Sequence, residues 1–169
     1  MSVLLCTSIL AKIHEQIERT DHLLSMLPAQ RLDWAPSSDS WPAAKLLGHL
    51  LECLAGFCAV LAAVKPESVA NYNRLREMPV NHACPIPEAY DRLAVYQQHI
   101  DKGFALLCDA DLARVVPTVF VKDGEPVLTL LLGNLEHLIN HKHQLFTYLK
   151  LMGVDVGTSD LYCFRGETN

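Results

Sequence analysis

Four long segments carry apolar residues at three- and four-residue steps, and prolines punctuate the stretches between them. That period is the signature of helices with one buried face. The first segment runs from about Leu5 to Met26. Ile9, Ile13, Ile17, Leu24 and Leu27 mark its apolar side, Lys12, Glu15, Glu18 and Arg19 lie between them, and Leu27-Pro28 closes it. The second is expected from about Trp41 to Val64, with Ser40 as its cap and Pro42 in its first turn, where no helical hydrogen bond is lost. The third starts near Pro87-Glu88, with Tyr90, Leu93, Tyr96, Ile100, Phe104 and Leu107 on its buried face. The fourth opens at Glu125-Pro126 and runs to about Met152, where Gly153 stops it. Four such helices without a sheet pattern predict an all-α, up-down-type four-helix bundle.

The connections are long. Pro66, Pro79, Pro85 and Pro87 interrupt the second one, where a short helix is expected around Val69 to Arg76. Val115 to Val121 is β-branched and reads as a short extended segment, followed by an Asp123-Gly124 turn before the last helix. After Val154 the tail is mostly polar, with Leu161, Tyr162 and Phe164 able to dock on the bundle. The whole of 1–169 reads as one domain, of a size that can bury a substantial core.

Composition narrows the function classes. Half of the residues are hydrophobic, which excludes a disordered chain. The net charge is -5 and no basic stretch is present, so a nucleic-acid partner is not expected. The stretch from Leu46 to Val64 is barely long enough to span a bilayer, and His49 and Glu52 within one turn would be costly there. A buried bundle helix is expected instead, with no membrane partner. The N-terminus lacks the basic region and cleavage site of a signal peptide. The six cysteines, Cys6, Cys53, Cys58, Cys84, Cys108 and Cys163, form no C-x-x-C pair and read as reduced core thiols of a cytoplasmic protein.

The chemistry concentrates on the fourth helix. His137 and His141 are four residues apart, so their side chains project from one face, one above the other. Two imidazoles at that spacing can share a divalent ion. The same face carries Leu130, Asn134, Gln144, Leu145 and Tyr148, whereas His143 points elsewhere. Two histidines hold a metal only weakly, so a third ligand is needed, and His49 is the best candidate. It lies in the most apolar part of the second helix, where an imidazole needs a partner. Gly48 beside it leaves room for a close approach. Cys53, four residues on, reads as a fourth ligand or as core packing. Glu52 reads as a ligand, as a residue orienting a histidine, or as a charged rim residue. His14, His22, His82 and His99 read as surface residues.

Two stretches together resemble the DinB-like superfamily of helical-bundle metalloproteins, also called DinB/YfiT-like. One is Trp41-Pro42-Ala43-Ala44-Lys45-Leu46-Leu47-Gly48-His49-Leu50, similar to the family's aromatic-led second helix with its first histidine. The other runs from His137 to Val154, similar to the family's H-x-x-x-H, Gln-aliphatic and Tyr-Leu-Arg-x-x-Gly ending. The resemblance covers essentially the whole chain. It departs at Asn140, where members often carry a histidine, and at Lys142-His143, where they often carry Arg-Gly. Neither change touches a ligand position; both bear on substrate contacts.

The resemblance implies His49, His137 and His141 as ligands of zinc or nickel, and a homodimer formed through helix faces. It implies thiol-dependent transfer, isomerisation or hydrolysis, with a small-molecule substrate and a low-molecular-weight thiol. Glu52 is the nearest candidate for proton handling, and Asn134 or Tyr148 for orienting a ligand. Two readings stand beside this one. The first is a non-enzymatic bundle that binds a metal or small molecule, or dimerises, as a stress-response module. The second is a set of histidines packed in the core without metal.

Overall fold

The computed structural model describes residues 4–65, 82–117 and 122–162. Four long helices form a bundle: α1 (Leu4–Ser25), α2 (Ala43–Val64), α3 (Ile86–Ala105) and α4 (Val127–Leu151). The main contacts run from α1 to α3, from α3 to α2, from α2 to α4 and from α4 back to α1. Helices consecutive in sequence, α1 and α2 or α3 and α4, therefore lie on the diagonals. The expected short helix at Val69–Arg76 lies outside the described residues, as do most of the extended segment beyond Pro117 and Phe164.

Helix α2 forms the spine of the core. Among the described residues it alone is long and apolar enough to cross a bilayer. Here its leucines are packed between neighbours: Leu46, Leu47, Leu50, Leu51, Leu54 and Leu61 are fully buried. At roughly 25 cal/mol per Å² of apolar surface removed from water, each such side chain contributes about 1.5–3 kcal/mol. A helix apolar on nearly every side is buried on nearly every side.

Its start differs from the expectation. Ser40 is not the cap; its amide and hydroxyl are tied to Ser37. The residue in the cap position is Pro42, with no side-chain cap bond. The preceding loop folds back over the helix start instead. The amides of Ala43 and Ala44 donate to the carbonyls of Trp34 and Leu32, both at 2.9 Å. Backbone carbonyls thus satisfy the amides that a serine would otherwise serve.

Helix α3 buries Ala89, Leu93, Tyr96, Ile100 and Phe104, and Leu107 just beyond it is also buried. Tyr90 departs from the expectation and is 38% exposed. The buried stripe passes through Ala89, and the next residue is turned about 100° away from it. His99, expected on the surface, lies on the stripe and is buried; desolvation holds its imidazole below the ordinary histidine range.

Helix α4 begins two residues later than expected. Glu125–Pro126 is a short strand (β2) paired antiparallel with Val115–Val116 (β1), Val116 opposite Glu125. The turn between them uses Gly124 at φ +81°, where a Cβ would press on the Val116 carbonyl. Gly153 ends α4 at φ +83°, in the left-handed conformation a helix stop requires.

The short helix α5 (Thr158–Leu161) docks on α1. Leu161 is buried, while Tyr162 is half exposed. Lys142 fixes this junction: it is buried, and its Nζ donates to Gln16 Oε1 and to the Leu161 carbonyl, both at 2.7 Å. Nothing in the local sequence marks Lys142 as buried, because its acceptors come from the two chain ends.

Candidate metal centre

Helices α2 and α4 make the most extensive contact in the bundle, and small groups set their approach. At Gly56 of α2 a Cβ would lie 2.6 Å from Asn134 Oδ1, so the amide of Asn134 rests against the α2 backbone. On its other side, Gly48 receives the carbonyl of His82, and a Cβ there would overlap that oxygen. The Cys84 amide donates to Ala44 O at 2.9 Å, and the Arg92 guanidinium reaches Gly48 O at 3.5 Å. The backbone that carries His49 is thus held from both sides.

With the helices so placed, three imidazoles converge. His49 Nε2 lies 3.3 Å from His137 Nε2 and 3.1 Å from His141 Nε2. The ring centroids are 4.4 to 5.2 Å apart, all edge-on. Nitrogens about 2.0–2.1 Å from one tetrahedral zinc ion stand roughly 3.3 Å from each other. The donor set fits the divalent metal that the spacing suggests. His137 is exposed and His49 and His141 are half-buried, so the group opens to solvent on the His137 side.

Protonation favours the same use. Partial desolvation of the ring nitrogens turned toward one another pulls the imidazoles of His137 and His141 below the ordinary range, and the neighbouring histidine charges add to it. Neutral rings keep a lone pair to donate. For His141 the tautomer follows from its partner: Nδ1 lies 3.0 Å from Gln144 Oε1, an oxygen that only accepts, so Nδ1 carries the proton and Nε2 is left free to ligate.

His49 is braced on two sides. Its Nδ1 faces Glu52 Oε2 at 3.5 Å, and its ring stands edge-on to Trp41 at 5.1 Å. The Tyr148 hydroxyl donates to the Trp41 carbonyl at 3.0 Å, and its ring stands edge-on to Trp34. Tyr148 therefore fastens the start of α2, and its hydroxyl is engaged behind Trp41. Asn134 sits about two turns along α2 from His49, at Gly56.

Cys53 is also close. Its Sγ forms a group with ring nitrogens of His49 and His137 whose members all lie within 4.8 Å of one another. It donates to the His49 carbonyl at 3.5 Å, and burial pushes its thiol up to about 12. Cys6, Cys58 and Cys84 are likewise buried free thiols, raised to about 11, 12 and 11 respectively by desolvation. Gln144 and Trp41 are the site residues that sequence reasoning did not assign a role. The Gln144 side-chain spacing, three after His141, was the available signal.

A four-helix bundle with an open cluster of imidazoles between two helices defines a class of metal-binding helical proteins. Comparison with known proteins places the chain within it: the model of the DinB superfamily matches residues 12–145, and the chain belongs to that metal-binding superfamily. A DinB-like protein of Bacillus subtilis shares the fold with a TM-score of 0.67 at 18% identity, over 93% of this chain and 96% of that one. A DinB-like protein of Bacillus cereus gives 0.66 at 14%, over 88% and 93%. No curated protein matches the chain.

Proposed function

We propose that this chain is a metal-dependent enzyme in which His49, His137 and His141 hold one divalent ion, zinc or nickel. Its reaction would be a thiol-dependent transfer or a hydrolysis on a small-molecule substrate. The observation that carries the reading is the convergence of three Nε2 atoms, at 3.1 and 3.3 Å from His49, on one point open to solvent. Three protein ligands leave room for a further one, the arrangement of catalytic rather than structural sites. When bound, the ion supplies a Lewis-acid position that acidifies a thiol or water at near-neutral pH.

The chain's own residues do the rest. Gln144 fixes the His141 tautomer. Glu52, at the Nδ1 edge of His49, orients that ring. The carboxylate stands away from the Nε2 edges, so we assign it positioning through His49 rather than direct contact with reactants. Trp41, held by Tyr148, shields one side of the His49 ring. The open side at His137 is where substrate would enter.

The test is metal content. Protein purified without a histidine tag or chelator is expected to carry about one equivalent of metal, measured by mass spectrometry of the ions. His49→Ala and His137→Ala are expected to lose it. Metal-free parent protein that also takes up none from added zinc or nickel would overturn the reading. Screening low-molecular-weight thiols against electrophiles with the loaded protein then separates an enzyme from a metal-binding module.

A further inference from the structure

Resting on the metal site just described, we propose that Cys53 is a fourth, displaceable ligand of the same ion, so that the resting site is closed by the protein's own thiolate and opened by an incoming thiol.

The register is the first argument. Helix α4 presents His137 and His141 four residues apart, and facing it α2 presents His49 and Cys53 four residues apart. Each pair stacks along one helix face. Cys53 Sγ groups with ring nitrogens of His49 and His137, and His141 Nε2 closes on the same His49 Nε2 at 3.1 Å.

Distance is the second. Cys53 Sγ and the ring nitrogens of His49 and His137 all lie within 4.8 Å. An ion at about 2.0–2.1 Å from nitrogen and about 2.3 Å from sulfur needs a sulfur–nitrogen separation of roughly 3.6 Å in tetrahedral geometry. With every separation inside 4.8 Å, a movement of at most about 1.2 Å closes that gap, within reach of a turn about the cysteine Cα–Cβ bond. It gives up a weak thiol bond to the His49 carbonyl, at 3.5 Å.

The other buried thiols are differently engaged. Cys58 donates to Tyr96 O, on α3, and Cys84 to Pro85 O. Among the described residues Cys53 is the cysteine that groups with imidazoles.

The step balances without a redox partner. On closing, the Sγ–H bond breaks, a sulfur–metal bond forms and the proton leaves to solvent. On opening by an external thiol, its sulfur takes the position and its proton goes to Cys53 Sγ. One thiolate replaces another, with no net proton release. The soft donor also biases the site toward zinc or cobalt over magnesium or manganese.

Cobalt(II) titration of the metal-free protein tests this. The parent is expected to bind one equivalent and to show a near-ultraviolet thiolate-to-cobalt charge-transfer band. Cys53→Ser, an isostere checked for folding by circular dichroism, and Cys53→Ala are expected to bind one equivalent without the band. Adding 2-mercaptoethanol to cobalt-loaded Cys53→Ala is expected to restore it. One cobalt bound by the parent without the band overturns the Cys53 proposal and leaves the three-histidine reading standing. A band that survives in Cys53→Ala overturns it too, and failure of the added thiol to restore the band overturns displacement. No cobalt bound by the parent overturns both readings.

Discussion

A ligating imidazole donates one lone pair while its other nitrogen carries the proton, and for His141 a single side-chain amide accepts that proton in a hydrogen bond. Gln144→Leu keeps the volume and removes the acceptor. Loss of such an orienting partner typically costs about 10–100-fold in metal affinity. Zinc titration by calorimetry is expected to show that loss, and an affinity within twofold of the parent would deny Gln144 this role. Gly48 acts on the same site from behind. Gly48→Ala drives a methyl into the His82 carbonyl, a backbone atom that cannot rotate away. Overpacking of this kind costs about 1–3 kcal/mol. Thermal unfolding should show the drop, together with weaker metal binding because His49 is the next residue. The histidine pair of α4 was legible in the sequence because its spacing is local. His49 was legible through its apolar surroundings and the family pattern. The Tyr148–Trp41 tie was not, since it joins positions 107 residues apart through a backbone carbonyl.

At the scale of elements, periodicity marked all four helices; inside α3 it misplaced Tyr90 and His99, and the errors of extent fall at the helix ends. Ser40 had the chemistry of a cap, yet carbonyls of the returning loop reached the amides first. Glu125-Pro126 had the chemistry of a helix start, yet pairing with Val115–Val116 held it extended. Both errors have one cause: ends are decided by whichever acceptor the tertiary fold brings near, and a local motif competes with it. Asp111 shows the same rule in the connector between α3 and β1. Its carboxylate accepts from the Cys108 amide at 3.0 Å and pairs with Lys65, just past the end of α2, at 3.1 Å. The Cys108 amide chiefly, with help from Lys65, holds its pKa down to about 2, from an ordinary 3.8. A carboxyl depressed by folding adds stability that is fully present above pH 3.8 and is lost as the pH falls through 2. Asp111→Asn should therefore lower stability near neutral pH by about 2 kcal/mol, the value of a charged hydrogen bond. The gap between variant and parent should close on acidification. Urea unfolding at pH 7 and pH 2 measures both; a gap that stays constant with pH would show that the carboxylate charge is not what matters.

For the whole molecule, the consequence of the site is mechanical. His49 belongs to the spine helix, and His137 and His141 to the helix with which it makes its largest contact. An ion held by all three ties α2 to α4 across that contact, and the tie exists only in the folded chain. Ligand bound to the folded state alone stabilises it by mass action, by about 2.7 kcal/mol at a hundredfold excess over the dissociation constant. For a chain of this size, each kcal/mol moves the melting temperature by about 2–4 °C, so saturating zinc should raise it by roughly 5–10 °C over chelated protein. The shift depends on every imidazole. His49→Ala and His137→Ala should melt at temperatures that zinc no longer moves, although each still folds, because neither ring is a fully buried part of the core. Protons compete for the same lone pairs, so the zinc-induced shift should shrink as the pH is lowered below 6.5, the ordinary value from which both α4 imidazoles are already depressed. A zinc-induced shift of equal size in parent and His49→Ala would place the ion elsewhere and break the link between α2 and α4 on which the function rests.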